Sequence, residues 1–452
     1  MTAAAAAGSE PRVAVIGDTH LKHGHPRNAD RLAAFDEAIA AAETHAPLAA
    51  WVHLGDVFHE HSTPQDRLEA ALRFQRMADT APVVVVGGNH GAPLDTELLA
   101  RLQSRHPIHA VTSPQVVNIV RGADVLVVAV IPYPSRAALV AAGVSREQQA
   151  RVAHEAFDLL ALDTASQWSG RLGPRMVVGH VTIAGAVTSV GQPMVGVELE
   201  MDAATLARYG DVPKLFGHIH KHQQVADATY VGSCCRMDWG ETEPKGWMLV
   251  EFTRVEAGAP LRSAWSHACT FMPLHVAPMY HVEGTLMRER FDWKVRKGPD
   301  GPRDQPPTSE CAHCHGTGDG AHSPTESTLS CEGCYGSGNV VDWTGCDVRV
   351  RARYAEAERA LLSAAQDRIS REFPGARRLH IEMVAVQQRQ LRAPEVAAAV
   401  TLPEKLQAWA RLSGVAWSDE IGRCAQQLLA TEDGDAVVAE TRARLEEAGR
   451  AE

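Results

Sequence analysis

Five short apolar runs in the first half of the chain are each followed by glycine and then by aspartate, asparagine or histidine. The runs occupy residues 13–16, 51–54, 83–86, 176–178 and 215–216. Their length and apolar character predict buried β-strands. Helical patterns between them predict helices at 28–45, 64–79, 94–104 and 146–168, with starts at Asn28 and at Thr63-Pro64. Strands that alternate with helices in this way predict an α/β fold.

The polar residues that follow these strands are of the types that bind divalent metal ions. The set comprises Asp18, His20, Asp56, Asn89, His90, His180, His218 and His220. Loops after the strands of an open α/β sheet meet at one edge, so these side chains are expected to converge there. Residues two apart in an extended segment point the same way, which lets Asp18 and His20 act at one place. Carboxylates and imidazoles together suit a pair of divalent metals.

The order of the motifs, D-x-H, G-D, G-N-H, G-H and G-H-x-H, resembles the calcineurin-like metallophosphoesterase superfamily over about residues 12–252. The resemblance implies two facing β-sheets flanked by helices, and it favours manganese as the metal. It assigns one metal to Asp18, His20 and His220, the other to Asn89, His180 and His218, and the bridging position to Asp56. His90 matches the family's catalytic histidine, which protonates the leaving oxygen or stabilises the transition state while a metal-activated water attacks phosphorus.

Residues around these ligands are similar to those of the SbcD family, the nuclease subunit of the SbcC–SbcD DNA-repair complex. The similar positions are 217–221 (GHIHK), 231–233 (VGS), Arg236 and Lys245-Gly246. Gly91 stands where phosphoprotein phosphatases of the superfamily usually carry glutamate, which argues against that branch. His59 lies where SbcD-like nucleases often place a second histidine near the substrate. The alternative for His59 is an exposed loop histidine beside His61.

The SbcD resemblance implies a metal-dependent DNA nuclease. Two alternatives stay open: hydrolysis of a small-molecule phosphodiester or phosphomonoester, and a non-catalytic scaffold of the same fold. The complete ligand set argues against the scaffold. The sequence has no G-x-x-x-x-G-K-[ST] motif, so an ATP-driven complex would need a separate SbcC-like coiled-coil ATPase.

The sequence pattern divides the chain into four parts. Residues 1–11 are expected to form a disordered tail, 12–255 the phosphoesterase nuclease domain, 256–400 a capping domain with a zinc module at 309–340, and 401–452 a C-terminal helical region. A strand at 347–354, a helix at 355–373 and a strand at 379–386 resemble the capping domain of SbcD-type nucleases and favour DNA as substrate. Helices at 403–450 are expected to dock onto the ATPase, or only to pack on the capping domain. Helices at 28–79 are expected to help form a homodimer.

Four of the nine cysteines have the spacing of a zinc site. They are Cys311, Cys314, Cys331 and Cys334, which form two C-x2-C pairs separated by sixteen residues. This spacing predicts one structural zinc bound by four thiolates. The flanking glycines resemble the C-x-x-C-x-G-x-G repeats of the DnaJ zinc region. The competing interpretation is two disulfides, which are rare in proteins of the reducing cytosol. The other five cysteines are predicted to be buried thiols.

The net charge of −11 gives no support for nucleic-acid binding, which usually needs a basic surface. A dinuclear centre, however, adds about +4 of its own. Arg349, Arg351 and Arg353 alternate with apolar residues and predict one basic strand face, which either contacts DNA or is simply solvated. No apolar run approaches the roughly 20 residues that span a bilayer, and residues 1–10 do not resemble a signal peptide. The sequence therefore predicts a cytoplasmic protein without a membrane partner.

Overall fold

The structure, a computed structural model, describes most of the first 286 residues and parts of the remainder. The described residues are 10–121, 124–134, 136–168, 173–188, 199–241, 243–255, 265–286, 291–295, 308–310, 339–355, 359, 362–386, 401–414 and 423. The four cysteines predicted to bind zinc lie outside these ranges, as do most of the predicted N-terminal tail and most of the C-terminal region after residue 414. The predictions for those segments therefore stay predictions.

The strands of the described residues are numbered here in chain order. They are β1 (Arg12–Ile16), β2 (Ala50–His53), β3 (Val83–Val86), β4 (Ile108–Val111), β5 (Gln115–Arg121), β6 (Asp124–Ile131), β7 (Arg175–His180), β8 (Thr182–Ile183), β9 (Glu200–Met201), β10 (Lys214–Gly217), β11 (Gln223–Val225), β12 (Ala228–Tyr230), β13 (Gly246–Arg254), β14 (Trp265–Pro273), β15 (Met279–Leu286), β16 (Phe291–Val295), β17 (Thr308–Glu310), β18 (Asn339–Val341), β19 (Asp347–Ala355) and β20 (Arg378–Val386).

The helices are α1 (Asn28–Glu43), α2 (Pro64–Thr80), α3 (Pro93–Leu99), α4 (Arg136–Ala141), α5 (Gln149–Trp168), α6 (Ala203–Ala207), α7 (Leu362–Arg371) and α8 (Leu402–Ser413). Helix α2 starts where the sequence predicts. The Thr63 hydroxyl accepts a hydrogen bond from the backbone N–H of Asp66, whose carboxylate accepts one from the N–H of Thr63. Helix α3 is shorter than the predicted 94–104, because the chain turns after it to enter β4. None of the described helices combines the length and the apolarity needed to cross a membrane.

Two mixed six-stranded sheets form the body of the α/β fold. The first has the order β14-β13-β1-β2-β3-β4, in which β1 to β4 are parallel and β13 is antiparallel to β1. The second has the order β11-β12-β10-β7-β6-β5, in which β12, β10, β7 and β6 are parallel and the two edge strands are antiparallel. The parallel strands at the centre of each sheet bring their carboxyl ends to one edge.

Alternate side chains of β1 face two different cores. Val13 and Val15 belong to a core that also contains Val128 of the second sheet, so the two sheets pack face to face. Ala14 belongs to another core, with Phe35 of α1 and with residues of α2. A third core lies between the second sheet and α5. The order of layers is therefore helices, sheet, sheet and helices, as expected for two facing sheets with helices outside.

A third sheet has four strands in the order β16-β15-β19-β20. Strand β19, helix α7 and strand β20 follow the predicted strand–helix–strand pattern, but Ala355 extends β19 rather than beginning the helix. Buried residues alternate with less buried ones along β19, and this period of two keeps the segment in the strand. The described residues up to Glu283, with those of Trp293–Arg351 and Ile369–Glu382, form the larger of two compact units, and the others form the smaller.

The cysteines outside the zinc module follow the prediction with one exception. Cys234, Cys235 and Cys346 are buried, whereas Cys269 is exposed. Cys269 lies on β14, which is an edge strand of the first sheet and has mostly exposed or half-buried residues after Trp265. Cys424 lies outside the described residues.

Candidate metal centre

The predicted metal ligands meet at the carboxyl ends of five strands, three in the first sheet and two in the second. Asp18 and His20 follow β1, Asp56 follows β2, Asn89 and His90 follow β3, His180 ends β7, and His218 and His220 follow β10. Strands β1, β2 and β3 are parallel neighbours, and so are β7 and β10. Because the two sheets face each other, both sets of loops reach the same place.

The backbone turns sharply directly after these strands. His20, Asp56 and His218 have φ angles of 49°, 49° and 86°, in the left-handed region that side chains rarely adopt. Such backbone conformations cost energy and often occur at functional sites. Gly55 has φ 107°, and a Cβ there would lie 2.5 Å from Nδ1 of His180. A Cβ on Gly88 would lie 2.1 Å from Oδ1 of Asp56, so the glycines make room for the site.

Asp56 occupies the centre of the site. Its Oδ2 atom lies 3.6 Å from Nε2 of His20 and 3.3 Å from Nε2 of His180. Its Oδ1 atom accepts a hydrogen bond of 2.9 Å from the backbone N–H of His90. Burial disfavours the charged carboxylate, but the neighbouring His180 more than offsets this and lowers the pKa of Asp56. Asp56 is therefore an ionised carboxylate placed between two histidines, as a bridging ligand must be.

Asp18, His20 and His220 form the first group of donors, with ligand atoms within 4.8 Å of one another. The Nε2 atoms of His20 and His220 face each other at 3.0 Å. Oδ1 of Asp18 accepts a hydrogen bond from the backbone N–H of His218, while the buried Oδ2 has no hydrogen-bond partner among the residues that the structure describes. Burial lowers the pKa of His20 well below 6.5, so the ring is neutral. A buried carboxylate oxygen without a partner, beside two converging imidazole nitrogens, is the donor set of a divalent cation.

The second group contains His180, His218 and Asn89. The amide oxygen of Asn89 lies 2.8 Å from Nε2 of His180 and 2.9 Å from Nδ1 of His218. Nδ1 of His180 donates to the backbone carbonyl of Leu54 at 2.7 Å, which leaves Nε2 directed into the site. Burial opposes protonation of His180, but Asp56 outweighs it and raises the pKa to about 9. A cation held beside His180 would neutralise the same carboxylate.

His90 and His59 lie beside the first group, in contact with His20. Nδ1 of His90 donates to the backbone carbonyl of His59 at 2.7 Å, and the two rings stack with centroids 5.6 Å apart. Nδ1 of His59 lies 3.4 Å from Nδ1 of His20. Burial and the nearby Arg31 lower the pKa of His59 to about 4. The position of His90, near the donors but exposed, suits contact with a substrate; its catalytic role and that of His59 stay predictions.

Further residues support the donors from behind without belonging to the predicted ligand set. Oε1 of Glu241 lies 2.8 Å from Nδ1 of His220. Burial alone would raise the pKa of Glu241, but this hydrogen bond and the charge of Lys245 outweigh burial and lower the pKa to about 2. Nε2 of His53 lies 3.1 Å from the hydroxyl of Thr19, behind the site, and burial lowers its pKa to about 3. Glu241 lies in a loop, 21 residues after His220. No periodicity or spacing in the sequence indicates a contact between these two residues.

The three arginines proposed as a DNA-binding face lie on one side of β19, as the alternation predicts. Arg349 and Arg351 are partly buried and Arg353 is exposed, while the intervening residues are buried. Both Arg349 and Arg351 pair with Glu382 of β20, each at 3.2 Å. Glu382 gives the first two arginines a structural partner that the sequence pattern does not indicate. Their contact with DNA stays a prediction.

The geometry agrees with a family match. The model of the calcineurin-like phosphoesterase family matches residues 11–222, a range that holds all seven proposed ligands and both candidate catalytic histidines. These residues form a calcineurin-like metallophosphoesterase domain. A crystal structure of TT1561 from Thermus thermophilus is 12% identical, with a TM-score of 0.32, over 53% of this chain and 94% of that chain. A likeness of that size supports no conclusion about this chain. No curated protein matches the sequence.

The metallophosphoesterase domain therefore carries buried aspartate and histidine clusters that suit two divalent metals. Every donor is an oxygen or an imidazole nitrogen, and Asp56 lies between the two clusters. A pair of cations held in this way activates water and neutralises charge in phosphoester hydrolysis. Residues 11–222 thus form a metallophosphoesterase domain whose donor clusters suit metal-dependent phosphoester hydrolysis.

Proposed function

We propose that the protein is a DNA nuclease of the SbcD type, which hydrolyses phosphodiester bonds at a dinuclear metal centre. The observation that carries the proposal is the complete set of donors around Asp56, whose Oδ2 atom lies within 3.6 Å of a histidine from each cluster. Asp18, His20 and His220 would hold one metal, and Asn89, His180 and His218 the other. When bound, the metals, manganese in this proposal, supply an activated water and charge neutralisation for attack on phosphorus.

The protein's own residues position the substrate and move the proton. His90 is fixed through Nδ1 by the carbonyl of His59, so its Nε2 atom is the one available to the substrate. Acting as the imidazolium, with the second proton on Nε2, His90 would give that proton to the leaving oxygen and return to the neutral ring; in DNA this oxygen is a poor leaving group without a proton. His59 stacks on His90 and contacts His20, and it therefore fixes the orientation of both rings.

DNA is proposed as the substrate on three grounds. The residues around the ligands follow the SbcD order, and the strand–helix–strand unit of β19, α7 and β20 follows the phosphoesterase domain in the chain as it does in SbcD-type nucleases. In addition, Asn89 and His90 are exposed, which leaves this side of the centre accessible to a polymer. A small-molecule phosphoesterase would not need the additional unit.

Cleavage of DNA in the presence of Mn²⁺ is the expected result with the purified protein. A labelled duplex and a labelled single strand should both be tested, each with and without EDTA, because chelation removes the water-activating metals. Phosphomonoesters and cyclic or linear dinucleotides serve as the matched small substrates. Efficient hydrolysis of a small substrate together with intact DNA under every metal tested would overturn the nuclease proposal in favour of a small-molecule phosphoesterase.

We further propose that the helices at 28–79 take part in a homodimer. Leu68 and Leu72 lie one turn apart on α2 and are 53% and 56% exposed. On the neighbouring α3, Leu94 and Leu98 are also exposed. Four exposed leucines on adjacent helices form an apolar surface that a second copy of the chain would cover.

Replacing Leu68 and Leu72 together by glutamate should convert the dimer into a monomer, because charges would be buried at the interface. Light scattering after size-exclusion chromatography gives the mass directly. The matched control replaces Leu159 and Leu162 by glutamate, since these leucines of α5 are exposed to a similar extent, 66% and 57%. A wild-type monomer, or a dimer that survives the Leu68/Leu72 change, would contradict this proposal.

Two further proposals concern segments that the structure describes only in part or not at all. The two C-x2-C pairs at 311–334 bind one structural zinc, separate from the dinuclear centre. The C-terminal helices dock onto an SbcC-like coiled-coil ATPase. In support of the second, α8 exposes Trp409 and Leu412 while it buries Ala408 and Ala410, so an apolar part of its surface is left uncovered by the described residues.

A further inference from the structure

Behind the first group of donors lies a buried network of charged side chains. Glu241 is 4% exposed, and its two carboxylate oxygens have different partners. Oε1 lies 2.8 Å from Nδ1 of His220, while Oε2 forms an ion pair with Nζ of Lys245 at 2.7 Å and accepts a hydrogen bond from the backbone N–H of Met237 at 2.8 Å. The carboxylate is therefore held from several directions and cannot turn away from His220.

Lys245 makes this network rigid. It is 1% exposed, and its Nζ atom donates to the backbone carbonyl of His220 and to the hydroxyl of Ser233, each at 3.0 Å. It also donates to Glu243 at 2.8 Å. The same lysine thus fixes the main chain of His220 and the carboxylate that contacts the His220 ring. A buried lysine is stable only with such partners, so the arrangement is strongly determined.

The contact with Glu241 sets the tautomer of the His220 ring. An imidazole that donates Nδ1–H to a carboxylate presents its Nε2 lone pair on the opposite side, and the negative charge makes that nitrogen a stronger donor. Nε2 of His220 points to Nε2 of His20, and these two nitrogens would both bind the first metal. In the second group, Nδ1 of His180 donates to the neutral backbone carbonyl of Leu54 at 2.7 Å, and the nearest carboxylate oxygen, Oδ1 of Asp18, lies farther away at 3.7 Å.

The two metal positions consequently differ in charge. The first has the carboxylate of Asp18 among its donors and the carboxylate of Glu241 behind His220, while the second has the neutral amide of Asn89. We propose that Glu241, anchored by Lys245, is a positioning residue for His220 that makes the Asp18, His20 and His220 position the tighter of the two metal sites. The inference rests on the proposed dinuclear centre and adds an order of binding to it.

The variant that tests this inference is Glu241→Gln, which keeps a hydrogen-bond acceptor for His220 and removes only the charge. Its matched control is Glu243→Gln, because Glu243 contacts Lys245 at nearly the same distance but is not the carboxylate hydrogen-bonded to His220. Both changes remove one carboxylate from Lys245, so a purely structural effect should lower the thermal midpoint of both. Isothermal titration of the metal-free proteins with Mn²⁺ then separates the two metal sites.

Wild-type protein should show two binding events of different affinity. Glu241→Gln should weaken the tighter event about 10–100-fold and leave the weaker one unchanged. Glu243→Gln should leave both events unchanged. Equal losses in the two variants, or wild-type affinity in Glu241→Gln, would overturn the inference but not the metal centre. Wild-type protein that binds no Mn²⁺ would instead overturn the proposed function.

If Glu241→Gln does not fold, Glu241→Asp provides the second variant. It keeps the charge for Lys245 and shortens the side chain by one methylene, so the contact with His220 is lost. The tighter event should again weaken selectively. An unchanged titration for Glu241→Asp would overturn the inference, because charge near Lys245 rather than contact with His220 would then be sufficient.

Discussion

Replacing His90 by asparagine is expected to lower kcat for DNA cleavage about 10²–10⁴-fold while both metals stay bound. Metal binding should survive because the contact of His90 with Asp56 comes from its backbone N–H, which asparagine retains. The side chain, by contrast, loses the nitrogen that delivers a proton to the leaving oxygen. Rates with saturating Mn²⁺ and metal content by mass spectrometry measure the two effects separately.

Proton donation by His90 can be tested by comparing substrates whose leaving groups differ in their need for a proton. Bis(p-nitrophenyl) phosphate releases a stable anion that needs no proton, so His90→Asn should slow this substrate much less than DNA. His61→Asn is the control, since His61 is an exposed histidine of the neighbouring loop. Equal losses for the two substrates would refute proton donation by His90, and loss of metal from His90→Asn would refute its separation from the ligands.

Asp56→Asn is expected to abolish metal-dependent hydrolysis, a loss of about 10³-fold or more, since charge neutralisation by the metals is worth several kcal/mol. The variant replaces one oxygen by an NH₂ group and removes the charge between His20 and His180. Asparagine tolerates the left-handed backbone at position 56, where φ is 49°, so the turn itself should persist. Metal content after dialysis and the initial rate with excess Mn²⁺ are the measurements.

The control for Asp56→Asn is Glu60→Gln. Glu60 belongs to the same loop, but its side chain is 62% exposed and pairs with Lys22 at the surface. An exposed ion pair of this kind contributes little, and both metals and activity should stay at wild-type values. If Asp56→Asn keeps two metals and its activity, Asp56 is not the bridging ligand and the geometry of the centre has been misassigned.

The sequence predicts the two-sheet α/β fold and the convergence of the aspartate, asparagine and histidine side chains, because both depend on local pattern. A buried strand followed by glycine and a polar residue has few structural solutions, and β1, β2, β3, β7 and β10 all occur where the apolar runs place them. In an extended segment, residues two apart point the same way. The D-x-H and G-H-x-H motifs therefore direct Asp18 with His20, and His218 with His220, to one place. Parallel pairing then brings these ends together.

Contacts between segments that are far apart in the chain cannot be predicted from local sequence pattern. Glu241 reaches His220 from a loop, and Glu382 reaches Arg349 and Arg351 from the next strand, so each partner is a matter of tertiary packing. The same holds for Cys269, which is exposed because β14 is an edge strand. Helix ends also depend on the following element, as the early end of α3 before β4 illustrates.

The central claim is that two metals lie in the donor clusters on either side of Asp56. The most direct test is an anomalous difference map from crystals of the wild-type protein grown with Mn²⁺. We expect two peaks, one among Asp18, His20 and His220 and one among Asn89, His180 and His218, with the Asp56 carboxylate contacting both. A map with no peak at these residues, or with a single peak that Asp56 does not contact, would contradict this claim.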